Sequence, residues 1–175
     1  MRACASSASA KRKPGVHKKA RPTALFFAAA ALALAADQVT KWAAFANLPD
    51  SWDVSIVPGV FYLVRAGNTG VVWGLLGGWP QAVLLVGWAA AVLVAVYFFL
   101  FAAGSRLEAA ALGAILGGAV GNLFDRAAFG YVRDFLDFRI REWHWPTFNV
   151  ADACITVGAG LLVWLFLFRT QPKEG

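Results

Sequence analysis

Four long apolar segments govern what this chain of 175 residues can fold into. Thr23–Trp42, Trp79–Ala103, Leu107–Asp125 and Val150–Phe168 are each near the roughly 20 residues that cross a hydrocarbon core. The length is that of one domain, but 59% apolar residues and eight tryptophans are not the composition of a soluble one. The chain reads as an all-α membrane protein of four transmembrane helices.

An even number of spans puts both termini on one side, and the excess of Lys and Arg marks that side as cytoplasmic. Arg2, Lys11, Arg12, Lys13, Lys18, Lys19 and Arg21 precede the first span, Arg106 lies between spans two and three, and Arg169 and Lys173 follow span four. Arg133, Arg139 and Arg141 in the third loop weaken this bias without reversing it. The organisation expected is a basic cytoplasmic tail (1–22), a four-helix membrane domain (23–168) and a short cytoplasmic tail (169–175). The net charge of +6 follows from this topology. A basic tail beside a span is drawn to anionic lipid, so a nucleic-acid partner is not expected. The length of the tail is also what an upstream start codon would give. A competing reading makes Leu25–Ala36 the apolar part of a cleavable signal peptide, with Ala44 and Ala46 near the cut. Such a cut would discard Asp37 and Lys41, polar groups in a segment that should be uniformly apolar.

Cys4 and Cys154 fall in the tail and in span four, so no disulfide is expected. His17 and His144 are the only histidines and there is no HExxH pattern, which disfavours a zinc hydrolase and leaves no metal site to assign. The serines lie in the tail, the first outer loop and at Ser105, which disfavours a serine protease within the membrane.

Between spans one and two, Val54, Ile56, Val60, Tyr62 and Val64 alternate with other residues near Pro58 and Gly59, predicting a small extracytoplasmic β element. The loop Ala127–Phe148, with Trp143 and Trp145, reads as an interfacial segment with indoles at headgroup level. Gly113, Gly117 and Gly121 share one face of span three and let another helix approach closely, within the bundle or between chains.

Acids in such a setting need a reason, because an aspartate at the bilayer centre costs roughly 2.5–3.5 kcal/mol on insertion scales. Asp37 and Lys41 are four apart on helix one and read as a structural ion pair. Asn122, Asp125 and Arg126 share a face of helix three, where the Arg can snorkel, pair with Asp125, or offer its planar fork to a carbonyl or phosphate. Asn149 and Asp152 share a face at the start of helix four, with Asn149 also placed to cap the helix. Asp134 stands just before the aromatic loop, and Asp137 lies further into an Arg-rich stretch where solvated charge is the default. Asp134 and Asp152, flanking the last span, could share a proton and hydrolyse an amide, the ionised member activating water and the protonated one donating to the scissile carbonyl. Spacing alone leaves an ion pair or a proton relay in a transporter open, and favoured over the catalytic pair, with a membrane scaffold without catalysis as a third reading.

The motif string resembles the bacterial prolipoprotein signal peptidases, or signal peptidase II. Its pieces here are Asp37-Gln38-Val39-Thr40-Lys41, then Asn68-Thr69-Gly70-Val71-Val72-Trp73-Gly74. Gly117-Gly118-Ala119-Val120-Gly121-Asn122-Leu123-Phe124-Asp125-Arg126 follows, and then Val132-Arg133-Asp134-Phe135 and Phe148-Asn149-Val150-Ala151-Asp152. Order and rough spacing fit from about Thr23 to Phe168.

The resemblance implies an intramembrane aspartic endopeptidase of the bacterial inner membrane. Such an enzyme cuts the signal peptide from diacylglyceryl-modified prolipoproteins on the amino side of the lipidated cysteine. By motif matching it makes Asp134 and Asp152 catalytic and puts Asn68, Asn122, Asp125, Arg126 and Asn149, together with Asp37 and Lys41, in the substrate-binding or supporting set. It further implies inhibition by globomycin-type cyclic peptides, partnership with membrane lipids, and no metal or cofactor. The active site would lie near the outer face, where a lipid anchor stays in hydrocarbon while water reaches the mouth. The departure is Val71-Val72-Trp73, where the family often has small residues and then Phe or Trp.

Overall fold

The computed structural model describes residues 22–70, 79–102 and 105–168. The expectations placed on residues 1–21, including Cys4 and His17, on Val71–Gly74 and on the tail 169–175 lie outside these described residues. Four helices carry the chain through α1 (Thr23–Asn47), α2 (Pro80–Leu100), α3 (Arg106–Phe129) and α4 (Val150–Phe168). All are long and apolar enough to cross a membrane. The α4 limits coincide with those expected, whereas α1 and α3 each run several residues further at their C-terminal ends. α3 is extended to Phe129 because Gly130 supplies the left-handed residue (φ 81°) that lets its N–H return to the Arg126 carbonyl.

α3 is the central helix, with 56% of its most apolar stretch buried against 11–17% for the other three. Its glycines explain how α1 comes so close. A Cβ at Gly117 would overlap the Ala30 carbonyl oxygen of α1, and Gly113 and Gly121 meet Phe26 and Asp37 in the same way. The glycine face therefore serves packing inside this bundle. Gly118, on another face, sits against the Ala151 carbonyl of α4. α2 is held by its tip, where Phe98 stacks on Phe26 at 4.0 Å between ring centres, above a small core with Ala102, Ala109 and Leu112. The outward faces keep Leu32, Leu85, Trp88 and Phe166 exposed, as lipid-facing surfaces require.

The expected β element exists and is larger than alternation suggested. β1 (Val54–Val57) and β2 (Phe61–Asn68) form a hairpin between α1 and α2, and β3 (Val132–Ile140) and β4 (Trp143–His144) extend it to a four-stranded antiparallel sheet. The segment read as an interfacial loop, Ala127–Phe148, is thus the last turn of α3 followed by a second hairpin. Val132–Phe135 is buried on both faces, which removes the period-two signature of a half-buried strand. The sheet joins α1 to α2 and α3 to α4, so it gathers at the end of the bundle where α1 and α3 finish.

Candidate active site

Every residue expected at the site converges beneath this sheet. In the β2–β3 pairing Ala66 faces Asp134, so Asn68, two residues along on the same face, lies diagonally across from it. Its Nδ2 donates to Asp134 Oδ2 at 3.1 Å. Asp134 is fully buried, on a strand rather than in a span.

α4 contributes through its cap. Asn149 Oδ1 accepts the Asp152 N–H at 3.0 Å while Asp152 Oδ2 accepts the Asn149 N–H at 3.2 Å, a reciprocal box that fixes both side chains. The capping amide still has its NH2 group to give. It donates to Asp134 Oδ1 at 2.6 Å and to Asn122 Oδ1 at 3.2 Å. Asn122 from α3 donates in turn to Asp152 Oδ1 at 2.8 Å. The two readings of Asn149, cap and site residue, are therefore both realised by one side chain. Asn149 thus bonds both carboxyls, Asp134 through its side-chain NH2 and Asp152 through its backbone N–H.

Behind this layer lies a buried ionic one. Lys41 Nζ bonds Asn122 Oδ1 at 2.9 Å and pairs with Asp37 at 2.8 Å and Asp125 at 3.3 Å. Asp37 also accepts the Ala151 N–H at 2.9 Å, so α1 satisfies an orphan donor of the first turn of α4. Asp125 is gripped by Arg133 through its backbone N–H at 3.0 Å and its guanidinium at 2.8 Å. Gln38 closes the network, donating to Asp125 and to the Gly121 carbonyl and accepting from Arg133 at 2.8 Å. From sequence Gln38 has no role and Arg133 only that of an outer-loop arginine able to bind something anionic, although both stand inside the quoted motifs. Arg126 does not pair with Asp125. It presents Nη2 to the Gly70 carbonyl at 2.7 Å, and its buried Nε has no acceptor among the described residues.

Asp137 is corrected by the structure. It is fully buried, held by Arg139, with His144 Nε2 approaching to 2.7 Å, and Arg139 also reaches Asp53 on the neighbouring hairpin at 2.5 Å. The hydrogen bond that Arg139 donates to Asp137 holds its guanidinium above its ordinary pKa range. This cluster fastens the hairpins together, apart from the Asp134 layer.

Asn68, Asn122, Arg126 and Asp152 line a cavity of about 570 Å³ between α2 and α4, roofed by Trp145, Pro146, Thr147 and Phe148. Asp37, Lys41 and Asp125 lie behind its wall. Burial pushes the Asp134 carboxyl from 3.8 up to about 7, the charge of Asp152 adding to the rise and the Asn68 and Asn149 amides opposing it. Two carboxyls joined through one asparagine, one of them with its pKa raised to about 7, are equipped for acid–base hydrolysis. Among the described residues no group of three or more His, Cys, Asp or Glu could hold a metal ion.

Solved structures share this architecture. A bacterial membrane enzyme solved by the in meso method at 2.3 Å resolution superposes with a TM-score of 0.81 at 26% identity, over 92% of this chain and 99% of that one. The lipoprotein signal peptidase of Sulfurihydrogenibium sp. (strain YO3AOP1) is 45% identical over 143 residues, covering 78% of this chain and 87% of the relative. That of Bacillus subtilis (strain 168) is 38% identical over 150 residues, covering 86% and 97%. The family model described as Signal peptidase (SPase) II matches residues 29–168, a span that includes every side chain of the buried network, and the chain belongs to that family.

Proposed function

We propose that Asp134 and Asp152 are the catalytic pair of this signal peptidase II, with Asp134 the acid and Asp152 the base. The enzyme cleaves signal peptides from prolipoproteins, as its family does. The observation that carries the assignment is that Asn149 bonds both carboxyls, Asp134 through its side-chain NH2 and Asp152 through its backbone N–H, with Asp152 on the wall of the cavity and Asp134 buried behind it.

Asp152 takes a proton from water, whose oxygen attacks the scissile carbonyl carbon, while Asp134 gives its proton to the carbonyl oxygen. The resulting gem-diol collapses as Asp134 takes a hydroxyl proton back and Asp152 delivers its proton to the departing amine, restoring both groups. Every proton is accounted for within the pair. Arg126 and Asn68 are placed on the cavity wall to hold peptide carbonyls, and the buried Nε of Arg126 is a donor in want of one.

The substrate class is diacylglyceryl-modified prolipoprotein, cut before the lipidated cysteine. Globomycin-type cyclic peptides occupy the same cavity. The protein lies in the bacterial inner membrane with both termini cytoplasmic, the site and sheet toward the outer face, and residues 1–22 and 169–175 as tails to the 23–168 unit. Supporting this orientation, Arg133 and Arg139 are consumed by internal ion pairs and do not count against the basic amino-terminal segment.

The test is cleavage of a lipidated prolipoprotein by the purified protein in detergent. Wild type releases the signal peptide, while D134N and D152N each abolish release and remain folded. Retained cleavage in either variant removes that residue from the pair, and robust cleavage of an unlipidated precursor overturns the substrate class.

A further inference from the structure

A hydroxyl on a helix that crosses a membrane ordinarily bonds back to a carbonyl of the preceding turn, because hydrocarbon offers it no other partner. Thr40 of α1 does so, donating to the Ala36 carbonyl at 2.7 Å and lying 3.0 Å from that of Asp37. Thr156 of α4 does not. Its side chain is exposed on the wall of the catalytic cavity, and its hydroxyl makes no hydrogen bond among the described residues. The polar groups around it are already engaged, Asn68 with Asp134, Asn122 with Asp152 and Arg126 with the Gly70 carbonyl. Thr147, the other hydroxyl at this cavity, belongs to the roof outside the spanning helices, where water is available to it. The peptidase mechanism makes no use of Thr156.

Position selects the acceptor. Asp152 and Thr156 are four residues apart on one face of α4, about 6 Å along its axis. With the cut before a lipidated cysteine, the amine that leaves beside Asp152 is the nitrogen of that cysteine. From this nitrogen the cysteine side chain, its thioether and the glycerol extend roughly 8 Å to the nearer ester carbonyl, at about 1.5 Å per single bond. One turn of α4 is within that reach, in the direction the acyl chains must take into hydrocarbon. The signal peptide is a poorer source of the acceptor, because the carbonyls of an apolar helix bond within the helix. An ester carbonyl brings no donor of its own.

We propose that the Thr156 hydroxyl donates to an ester carbonyl of the substrate's diacylglyceryl group, so that the enzyme distinguishes an ester-linked lipid from an ether-linked one. This rests on the peptidase reading above and adds to it a recognition point for the lipid. Thr156 is a specificity residue, read through KM, and takes no part in proton transfer.

The experiment uses the purified full chain in a detergent without ester groups and two synthetic prolipoprotein peptides that differ only in the lipid. One carries a diacylglyceryl cysteine and the other its dialkyl ether counterpart, which keeps the chains and the glycerol and lacks the carbonyls. Wild type prefers the ester substrate by about fivefold in kcat/KM, the scale of one hydrogen bond between neutral groups. T156V, which keeps the branched shape without the hydroxyl, loses that preference through a higher KM for the ester substrate alone, and T156S retains it. T156V melts with wild type, since the hydroxyl has no partner in the protein. A lowered melting temperature would place that partner inside the bundle and overturn the assignment. Absence of a preference in wild type, or a preference that survives T156V, overturns it as well. Slowing of both substrates to the same degree by T156V gives the hydroxyl to a peptide carbonyl instead, and the ester reading fails. Failure of wild type to cleave either lipidated substrate is a different result, which removes the peptidase reading itself.

Discussion

Replacing Asp134 by Asn should make the stability difference from wild type change sign with pH. The wild-type carboxyl ionises near 3.8 in the unfolded chain and at about 7 in the fold. Between those values the folded state binds the extra proton, so wild-type stability falls as pH rises, the loss starting near pH 4 and complete above about 7. At about 1.4 kcal/mol per factor of ten, the whole loss is about 4 kcal/mol, of which about 3 kcal/mol falls above pH 5. Asn escapes this loss, but its NH2 group must face the NH2 of Asn68 or Asn149, both of which now donate to Asp134. That mismatch costs about 1–3 kcal/mol at every pH. D134N should therefore melt level with or below wild type at pH 5 and above it at pH 8.5, a relative swing of about 6–12 °C for a chain of this size. Thermal unfolding in detergent at the two pH values reads it directly. A difference that is the same at both, or that moves against the variant as pH rises, refutes the assignment of the raised pKa to Asp134.

Other perturbations follow from the same geometry. K41M leaves Asp37 and Asp125 facing each other without their shared cation, and a loss of about 3–5 kcal/mol should show as failure to accumulate in membranes. G117L drives a side chain into the Ala30 carbonyl of α1, costing about 1–3 kcal/mol or more in thermal unfolding, while the matching change at Gly160, where nothing crowds a Cβ, should be neutral. Shortening the Pro58–Val60 and Arg141–Glu142 tips should raise KM for the lipidated precursor with little effect on melting, if the sheet clamps the peptide over the cavity. Unchanged rate and affinity in that double deletion would sink the clamp.

The four helices were readable because twenty apolar residues have few other fates, and the Asp37–Lys41 pair because helical spacing puts i and i+4 on one face. The second hairpin was not, because Val132–Phe135 is buried on both sides and its Arg and Asp residues look like surface charge. Asp137 misled for the same reason, since its partners Arg139 and His144 become neighbours only when β4 folds back on β3. Gln38 could not be assigned from spacing, because its partners Gly121 and Asp125 are more than eighty residues away. Asn149 shows the limit most clearly. Its cap is a local event that sequence can predict, whereas its bond to Asp134 depends on the register that carries β3 past the end of α4.

The ionic layer explains why the proton belongs in this fold. Asp37, Asp125, Asp134 and Asp152 face Lys41, Arg126 and Arg133, so four carboxyls confront three cations in a region where uncompensated charge is expensive. One proton on the carboxyls balances the set. In the proposed mechanism it resides on Asp134, which burial and the charge of Asp152 push up to about 7. The singly protonated pair that hydrolysis requires is then the electrically neutral state of the whole cluster, and the supporting residues set the protonation of the dyad as well as its geometry. R126Q removes one of the three cations. With less positive potential at Asp134 and Asp152, the cluster should hold its proton to higher pH, and the fall in cleavage rate expected above about pH 7 should move upward by about one pH unit, a typical effect of one nearby charge. A profile of kcat against pH with lipidated substrate reads that limb even if the variant is slow. A limb that stays in place or moves to lower pH would show that Arg126 acts on the substrate alone.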